Sequence, residues 1–444
     1  MITSTVGKIF LDAYNEKYGT AYDARTFFLE KFYEMFFNHE KYMMTAGNSP
    51  LENPKFNCED MIKGKKPFEN DEQRALRFNK FMRKIDEGEP DASIARGYPT
   101  VDTTTATSSQ VTNLNLPLDT DSIFLSWIGD GLGVGVSGRD SGGVSILFFK
   151  KEILLDIFEG WQIYRQMLQT NRELKGNQIN TWNGQWLAHC YDTRVFNSQN
   201  PLSGFNPFND PKDGVINLST QSWTRILIGI ARKHPDTKLM GYVYSIGQTN
   251  TTVGFIPFDL SQIRRPLHLY EKFFGMDTGH QAESLWGTAT GFKSSCAKGS
   301  IGLKAMQPKD LSDYITAKRH PKNKDNNNER TIKFNVYQIW LLAMLNNDQL
   351  WDKSQSLAQL LHEALCNKTK SLSTKPKNIV DNVLSAVNKK QFIAGATELL
   401  PLVSDCNTFE ELVKDIHQMP NDNVPYFLTL LRFHFNLTEQ NYNK

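Results

Sequence analysis

Residues 239–258 read LMGYVYSIGQTNTTVGFIPF. Two apolar runs, Leu239–Tyr244 and Thr252–Phe258, sit on either side of the polar turn Ser245-Ile-Gly-Gln-Thr-Asn-Thr-Thr252. Aromatic and β-branched residues bounded by a Gly/Asn-bearing turn predict two antiparallel strands joined as a hairpin. Upstream, Ile123–Ile128 and Val144–Phe149 read as two more strands around a glycine-rich turn, and Trp182–Tyr191 as a short strand. Between them, Lys150–Leu168 places Ile153, Leu154, Ile157, Phe158, Trp161 and Leu168 at helical spacing, and Ser219–His234 reads as a helix ended by Pro235.

Farther out the pattern is helical at both ends. In 23–45, Phe27, Phe28, Phe32, Met35 and Phe36 gather on one side of a helix that Asp23 could cap. In 70–87, Leu76, Phe78, Met82 and Ile85 form an imperfect stripe, with Gly88 placed to end the helix. The Thr/Ser/Asn-rich stretch 99–120 reads as a linker. Beyond the basic spacer 318–330, helical spacing runs through 331–346, 348–366, 377–390, 391–402, 408–419 and 425–436. The expected fold class is α+β: a helical region at 1–98, a mixed body of short β-sheets and helices at 120–317, and an all-α C-terminal helical bundle at 331–444.

Composition excludes several classes. The 444 residues hold 39% apolar and 22% charged side chains, which fits a globular chain with a sizeable core. The opening residues lack a basic stretch followed by an apolar one, so no secretory leader is expected. No run approaches the roughly 18 apolar residues of a membrane span. Five cysteines, Cys58, Cys190, Cys296, Cys366 and Cys406, are widely spaced and odd in number, which predicts free thiols in a reducing, cytoplasmic setting and no zinc pair.

The run Gly129-Asp-Gly-Leu-Gly-Val-Gly-Val-Ser-Gly-Arg-Asp-Ser-Gly-Gly143 is the most distinctive in the chain. Gly133-Val-Gly135-Val-Ser-Gly138 fits GxGxxG, but dinucleotide binding needs a helix directly after the glycines, and a strand follows here. No cofactor is expected. Two readings stay open: a flexible hairpin, or a loop whose bare backbone lies against a sugar-phosphate chain, presenting Ser137 and Arg139. The turn at 245–252 is either an ordinary polar hairpin tip or a reader of base edges through Gln248 and Asn250, with Thr249 and Thr251 meeting phosphates. Trp182 and Trp186 suit core packing better than base stacking.

Net charge is only +2, so any polyanion partner must be met locally. Residues 288–324 hold Lys293, Lys298, Lys304, Lys309, Lys318, Arg319, Lys322 and Lys324 against only Asp310 and Asp313, with Arg264 and Arg265 just upstream. Two further basic stretches lie at 63–84 and 368–390. Each alone could be a solvated face; three in a near-neutral chain predict segregated charge of the kind that tracks phosphates.

Catalytic patterns fail. HExxH, a Walker A loop and a GxSxG elbow are absent. Asn206-Pro-Phe208 lacks the second proline of the amino-methyltransferase motif, and Glu173-Leu-Lys175 lacks the upstream Pro-Asp of an ExK nuclease. The nine histidines are scattered without ligand spacing, so neither a catalytic centre nor a metal is expected.

Three stretches carry a family resemblance: 127–137, Tyr242–Pro257, and Gly291-Phe-Lys-Ser-Ser-Cys-Ala-Lys-Gly-Ser-Ile-Gly-Leu-Lys304. They resemble the large subunit of a type I CRISPR Cascade complex of the B-like subtypes, over roughly residues 120–345. The resemblance implies a non-catalytic protein that meets a guide RNA, target double-stranded DNA, other Cascade backbone subunits and a separate helicase-nuclease, with no membrane. It implies inspection of the motif flanking the target, with base pairing reading the rest. Arg264, Arg265, Lys293, Lys298 and Lys304 would then join the two turns as DNA contacts. The chain lacks the CxxC pairs of some relatives, so a zinc module does not carry over. In some related systems an internal start yields a small subunit, for which Met306 and Met344 are candidates. Two other classes compete: an unrecognised nuclease or methyltransferase, and a scaffold that binds only proteins.

Overall fold

The computed structural model describes residues 1–53, 55, 57–87, 91, 93–98, 118–138, 143–235, 238–246, 251–321, 327–366 and 375–442. It is α+β, as the sequence predicts, and it divides into two compact units. One comprises Met1–Ser261 with Gly291–Ile301; the other comprises Gln262–Thr290 with Gly302–Lys444. The helical N-terminal residues therefore share a unit with the sheet, and 302–317 share one with the terminal helices. The division does not follow the expected boundaries near 99–120 and 318–330.

The first unit holds one four-stranded antiparallel sheet in the order β1 (Val134–Ser137), β2 (Gly143–Phe148), β3 (Lys238–Ile246), β4 (Thr251–Asp259). The expected hairpin at 239–258 is present, with a bulge near Val243 and Tyr244. Helices Lys151–Thr170 and Trp223–Lys233 also form where periodicity placed them, the latter capped by Ser222, whose hydroxyl accepts from Arg225 N at 3.3 Å.

Two expected strands are helices. Ile123–Ile128 lies inside the helix Thr120–Gly131, started by Asp119, which accepts from Ser122 N at 2.6 Å. Trp182–Tyr191 falls largely within the helix Ile179–Cys190. Both helices are buried along almost their whole length, Ile123–Gly129 in one and Trp182–His189 in the other. A helix surrounded by protein needs no polar face, so its sequence loses the 3.6-residue period and imitates a buried strand. The first also crosses Ile2–Tyr18 in backbone contact: a Cβ on Gly129 would sit 1.9 Å from the Thr3 carbonyl oxygen.

The N-terminal phenylalanine helix is capped by Asp23, which accepts from Thr26 N, but it ends at Phe36 after a π-helical turn over Phe28–Tyr33. In Asp71–Glu87 the core takes Phe81, Ile85 and Arg74, while Leu76, assigned to the stripe, is 70% exposed. Arg74 displaces an apolar residue from that face by donating to the Glu69 carbonyl at 2.6 Å.

The second unit is helical among its described residues. Its main helices are Asn328–Leu345, Leu350–Cys366, Pro376–Ser385, Lys389–Leu399, Cys406–Gln418 and Val424–Tyr442. They are tied to the preceding segment: Trp340 Nε1 donates to Leu303 O at 3.0 Å, and the Tyr337 hydroxyl donates to Lys309 O at 2.7 Å. Arg432 is buried and has no carboxylate partner among the described residues. It donates to the carbonyls of Leu384 (3.4 Å), Ala386 (3.5 Å) and Tyr314 (2.6 Å), joining the ends of two helices to the last one. Among the described residues no helix is long and apolar enough to cross a membrane.

Candidate nucleic-acid interface

Strand register brings the two polar turns together. Ser137 pairs with Gly143, Gly143 with Ile246, and Ser245 with Thr251. The β1–β2 and β3–β4 connections therefore leave the sheet at the same end. Arg139, Gln248, Thr249 and Asn250 lie outside the described residues, as does the Thr251 side chain. Ser137 is half-buried, and its N–H donates to Gln221 O at 2.7 Å.

A third segment reaches this end. Phe292 N donates to Gly138 O at 3.0 Å, and the Phe292 ring stacks on Trp223, with centroids 5.3 Å apart. This seats Lys293 beside the β1–β2 tip, and Lys298 follows on an exposed turn. Arg225, exposed in the first turn of the helix that Ser222 caps, joins them, because Ser222 bridges to Ser137. The sequence singled out 127–137, 242–257 and 291–304 separately; the fold gathers parts of all three at one sheet end.

The glycine-rich run divides in two. Its first half is packing rather than open loop. The Asn183 amide donates to Gly131 O and Gly133 O, both at 2.8 Å, and a Cβ on Gly135 would lie 2.9 Å from the Asn180 backbone. Only the part from Gly138 onward belongs to the tip. Trp182 and Trp186 are likewise internal: their indole N–H groups donate to Gly160 O and Asp156 O, each at 2.8 Å.

The basic runs thin out once partners are counted. Arg265 pairs with Asp348 at 3.1 Å, while Arg264 and Lys304 are exposed; all three belong to the second unit. In the 63–84 stretch, Arg77 Nε donates to Glu69 at 2.6 Å, Lys84 to Asp91 at 2.7 Å, and Lys66 approaches Asp60 at 3.4 Å. Lys65, Lys80 and Arg83 are left exposed, with no ion pair among the described residues. In the 368–390 stretch, Lys389 donates to His417 O and Met419 O, while Lys368 and Lys370 lie outside the described residues.

Sequence reading missed one feature. On one face of β3–β4, Tyr242 lies opposite Phe255 and Met240 opposite Pro257. Phe255 is 55% exposed, Met240 43%, and Pro257 is exposed as well. The Phe149 ring lies 5.8 Å from Phe255, and the Tyr242 ring 5.2 Å from it. The Tyr242 hydroxyl is held 3.0 Å from Thr252 Oγ1. The available signal was that alternate positions on both faces of this hairpin are apolar, although one face of an antiparallel pair usually faces water.

The nearest approach to a reactive cluster is Tyr191, whose hydroxyl donates to Asp156 Oδ2 at 2.6 Å, with Lys233 Nζ 3.7 Å from the same oxygen. Burial pushes the Tyr191 phenol far above its usual range. These contacts join three helices, and both partners of Asp156 are protein groups, so the cluster acts as a lock. Among the described residues no group of three or more His, Cys, Asp or Glu is placed to hold a metal ion.

Comparison with protein-family models, curated proteins and solved structures finds no match for this chain.

Proposed function

We propose that this chain is a non-catalytic nucleic-acid-binding protein, the large subunit of an RNA-guided Cascade complex. In this reading a guide RNA pairs with one DNA strand, and this chain inspects the flanking motif on the duplex. It then helps to open the duplex and offers a surface to a separate helicase-nuclease. One observation carries the proposal: the register Gly143–Ile246 makes the two polar turns leave the same sheet end, with Phe292, the neighbour of Lys293, hydrogen-bonded to Gly138 O. Short polar tips can enter a groove and read base edges through Gln and Asn amides, while neighbouring cations meet the phosphates. Lys298 and Arg225 extend the cationic surround.

The test is selection. The full chain is incubated with short duplexes randomised at a few consecutive base pairs, and the retained pool is sequenced. One short motif should be enriched. Gln248→Ala with Asn250→Ala should remove that preference, costing about 1–3 kcal/mol on the enriched motif, and leave affinity for the random pool nearly unchanged. An unenriched pool contradicts flank recognition; equal loss on every duplex contradicts base readout by this turn.

A further inference from the structure

Between the short helix Cys58–Ile62 and the long helix Asp71–Glu87 the first unit holds a cavity of about 810 Å³, within the roughly 300–1,000 Å³ of small-molecule sites. Local chemistry shapes it. Asn57 starts the short helix by accepting from Asp60 N at 3.2 Å, and Gly64, at φ 71°, turns the chain back after it. Glu69 then fastens the returning loop to the long helix. Both of its carboxylate oxygens take N–H groups of Arg77, with Nε at 2.6 Å, and the Tyr42 hydroxyl donates to Oε2 at 2.9 Å. Arg77 spends its remaining donors on Leu51 O and the Tyr42 hydroxyl. Met61, Pro67, Phe68 and Leu76 supply the apolar part of the lining. Leu76 is 70% exposed on a helix that buries Phe81 and Ile85, and it lines the cavity instead of joining the core.

The polar part of the lining is one-sided. Asn53 Oδ1 accepts from Lys55 N at 2.9 Å, and Gln73 Oε1 accepts from Asn70 N at 3.2 Å. Both amide NH₂ groups are left as donors with no acceptor among the described residues. Lys55 has no ion pair among the described residues, and Lys66 is held only loosely, 3.4 Å from Asp60. Three cations, Lys55, Lys66 and Arg77, line the cavity against one carboxylate, Glu69, whose oxygens are already taken. The lining side chains therefore offer positive charge, hydrogen-bond donors and an apolar wall, and no free carboxylate. A metal ion finds no ligand here. An acidic peptide brings backbone N–H donors that these side chains cannot meet. A bare inorganic anion leaves Phe68 and Leu76 uncovered. The complement is an apolar body carrying a phosphate, whose three acceptor oxygens suit several convergent donors.

We propose that this cavity binds a small organic phosphate. Its phosphate is held by Lys55, Lys66 and the Asn53 and Gln73 amides, and its apolar body lies against Phe68, Leu76 and Met61. Every lining residue belongs to the first unit and none to the sheet. The inference is thus independent of the nucleic-acid reading of the sheet end and survives its failure.

The full chain is titrated by calorimetry with uridine monophosphate, octyl phosphate and inorganic phosphate, each taken to millimolar concentration. The first carries its phosphate on a ring-bearing body and the second on a chain, so the two arms distinguish a nucleotide from a lipid-like source. At least one should bind at least about tenfold more tightly than inorganic phosphate. Lys55→Ala with Lys66→Ala, and separately Leu76→Asp, should each weaken that binding at least about tenfold. All three residues are exposed, so these variants should fold, and unchanged melting checks that. Lys80→Ala with Arg83→Ala removes two exposed cations of the same helix that lie outside the lining, and it should bind like the parent. The proposal is overturned if neither organic phosphate binds, if inorganic phosphate binds as tightly as both, or if the Lys80 and Arg83 variant loses as much as the Lys55 and Lys66 variant.

Discussion

Two regions of the molecule, the β3–β4 face and the last helix, break the same rule in opposite directions. In the first, large apolar groups that belong inside are held outside: Phe255, Met240 and Pro257 on the β3–β4 face. In the second, polar groups that belong outside are held inside: Arg432 and His434, both on the last helix and both nearly inaccessible. The remedy differs. Arg432 is surrounded by carbonyl oxygens of its own unit, so its burial is an internal device that joins helix ends, where cations are favoured. Phe255 has tilted neighbours and is 55% exposed, so among the described residues its misfit has no such internal answer. A buried misfit solved from within speaks of stability; an exposed misfit left unsolved speaks of binding.

The contrast can be broken most severely at Arg432. Replacing it with Leu removes the donors to Leu384, Ala386 and Tyr314 and leaves those carbonyls buried. A loss of about 3 kcal/mol is expected, read by denaturant unfolding of the full chain; Arg432→Lys should recover only part, because an ammonium cannot span the fork. An unchanged midpoint for Arg432→Leu would show that the guanidinium is not what joins these helices.

An effect absent at neutral pH and growing only in acid sits two residues on. Neither ring nitrogen of His434 has a hydrogen-bond partner among the described residues, the ring packs edge-on to Trp351, and burial lowers its pKa to about 3. The folded state therefore resists protonation while the unfolded state accepts a proton near 6.5, the ordinary value for a histidine. Above that pH the group contributes no pH dependence. As pH falls from 6.5 toward 3, the unfolded state binds more protons, and stability drops by up to about 1.4 kcal/mol per pH unit. His434→Phe should flatten that part of the acid limb. An unaltered slope would assign the acid sensitivity elsewhere, with His39, lowered to about 4 by burial and the nearby Arg165 and Arg74 charges, as the next group to replace.

The same contrast explains what the sequence did and did not reveal. Elements with a wet face, a cap or a turn signal were legible: the Asp23 and Ser222 caps, the helices Lys151–Thr170, Leu350–Cys366 and Cys406–Gln418, and the turn of the 239–258 hairpin all carry one. Thr120–Gly131 and Ile179–Cys190 were not, because burial on all sides erased their period. The polar turns were legible as candidate tips, and the register joining them follows from the pairing of β2 with β3, which no local pattern encodes. The first glycines of the 129–143 run looked like a loop because tight packing and open loops use the same residue. The Phe255 strip was hidden because an exposed aromatic and a buried one look the same in sequence. Basic runs were over-read, since Arg74, Arg77, Lys84 and Arg265 are each engaged by the protein itself.

The salt dependence of duplex binding tests most directly whether the sheet end meets nucleic acid. Affinity of the full chain for a blunt duplex is measured across a salt series, for the parent and for Lys293→Glu with Lys298→Glu. Each phosphate contact contributes close to one unit of slope in the log–log plot. The parent should show a clear negative slope, and the variant should bind every duplex more weakly with a slope shallower by about one to two units. A parent that does not bind, or a variant whose slope equals the parent's, would contradict the account.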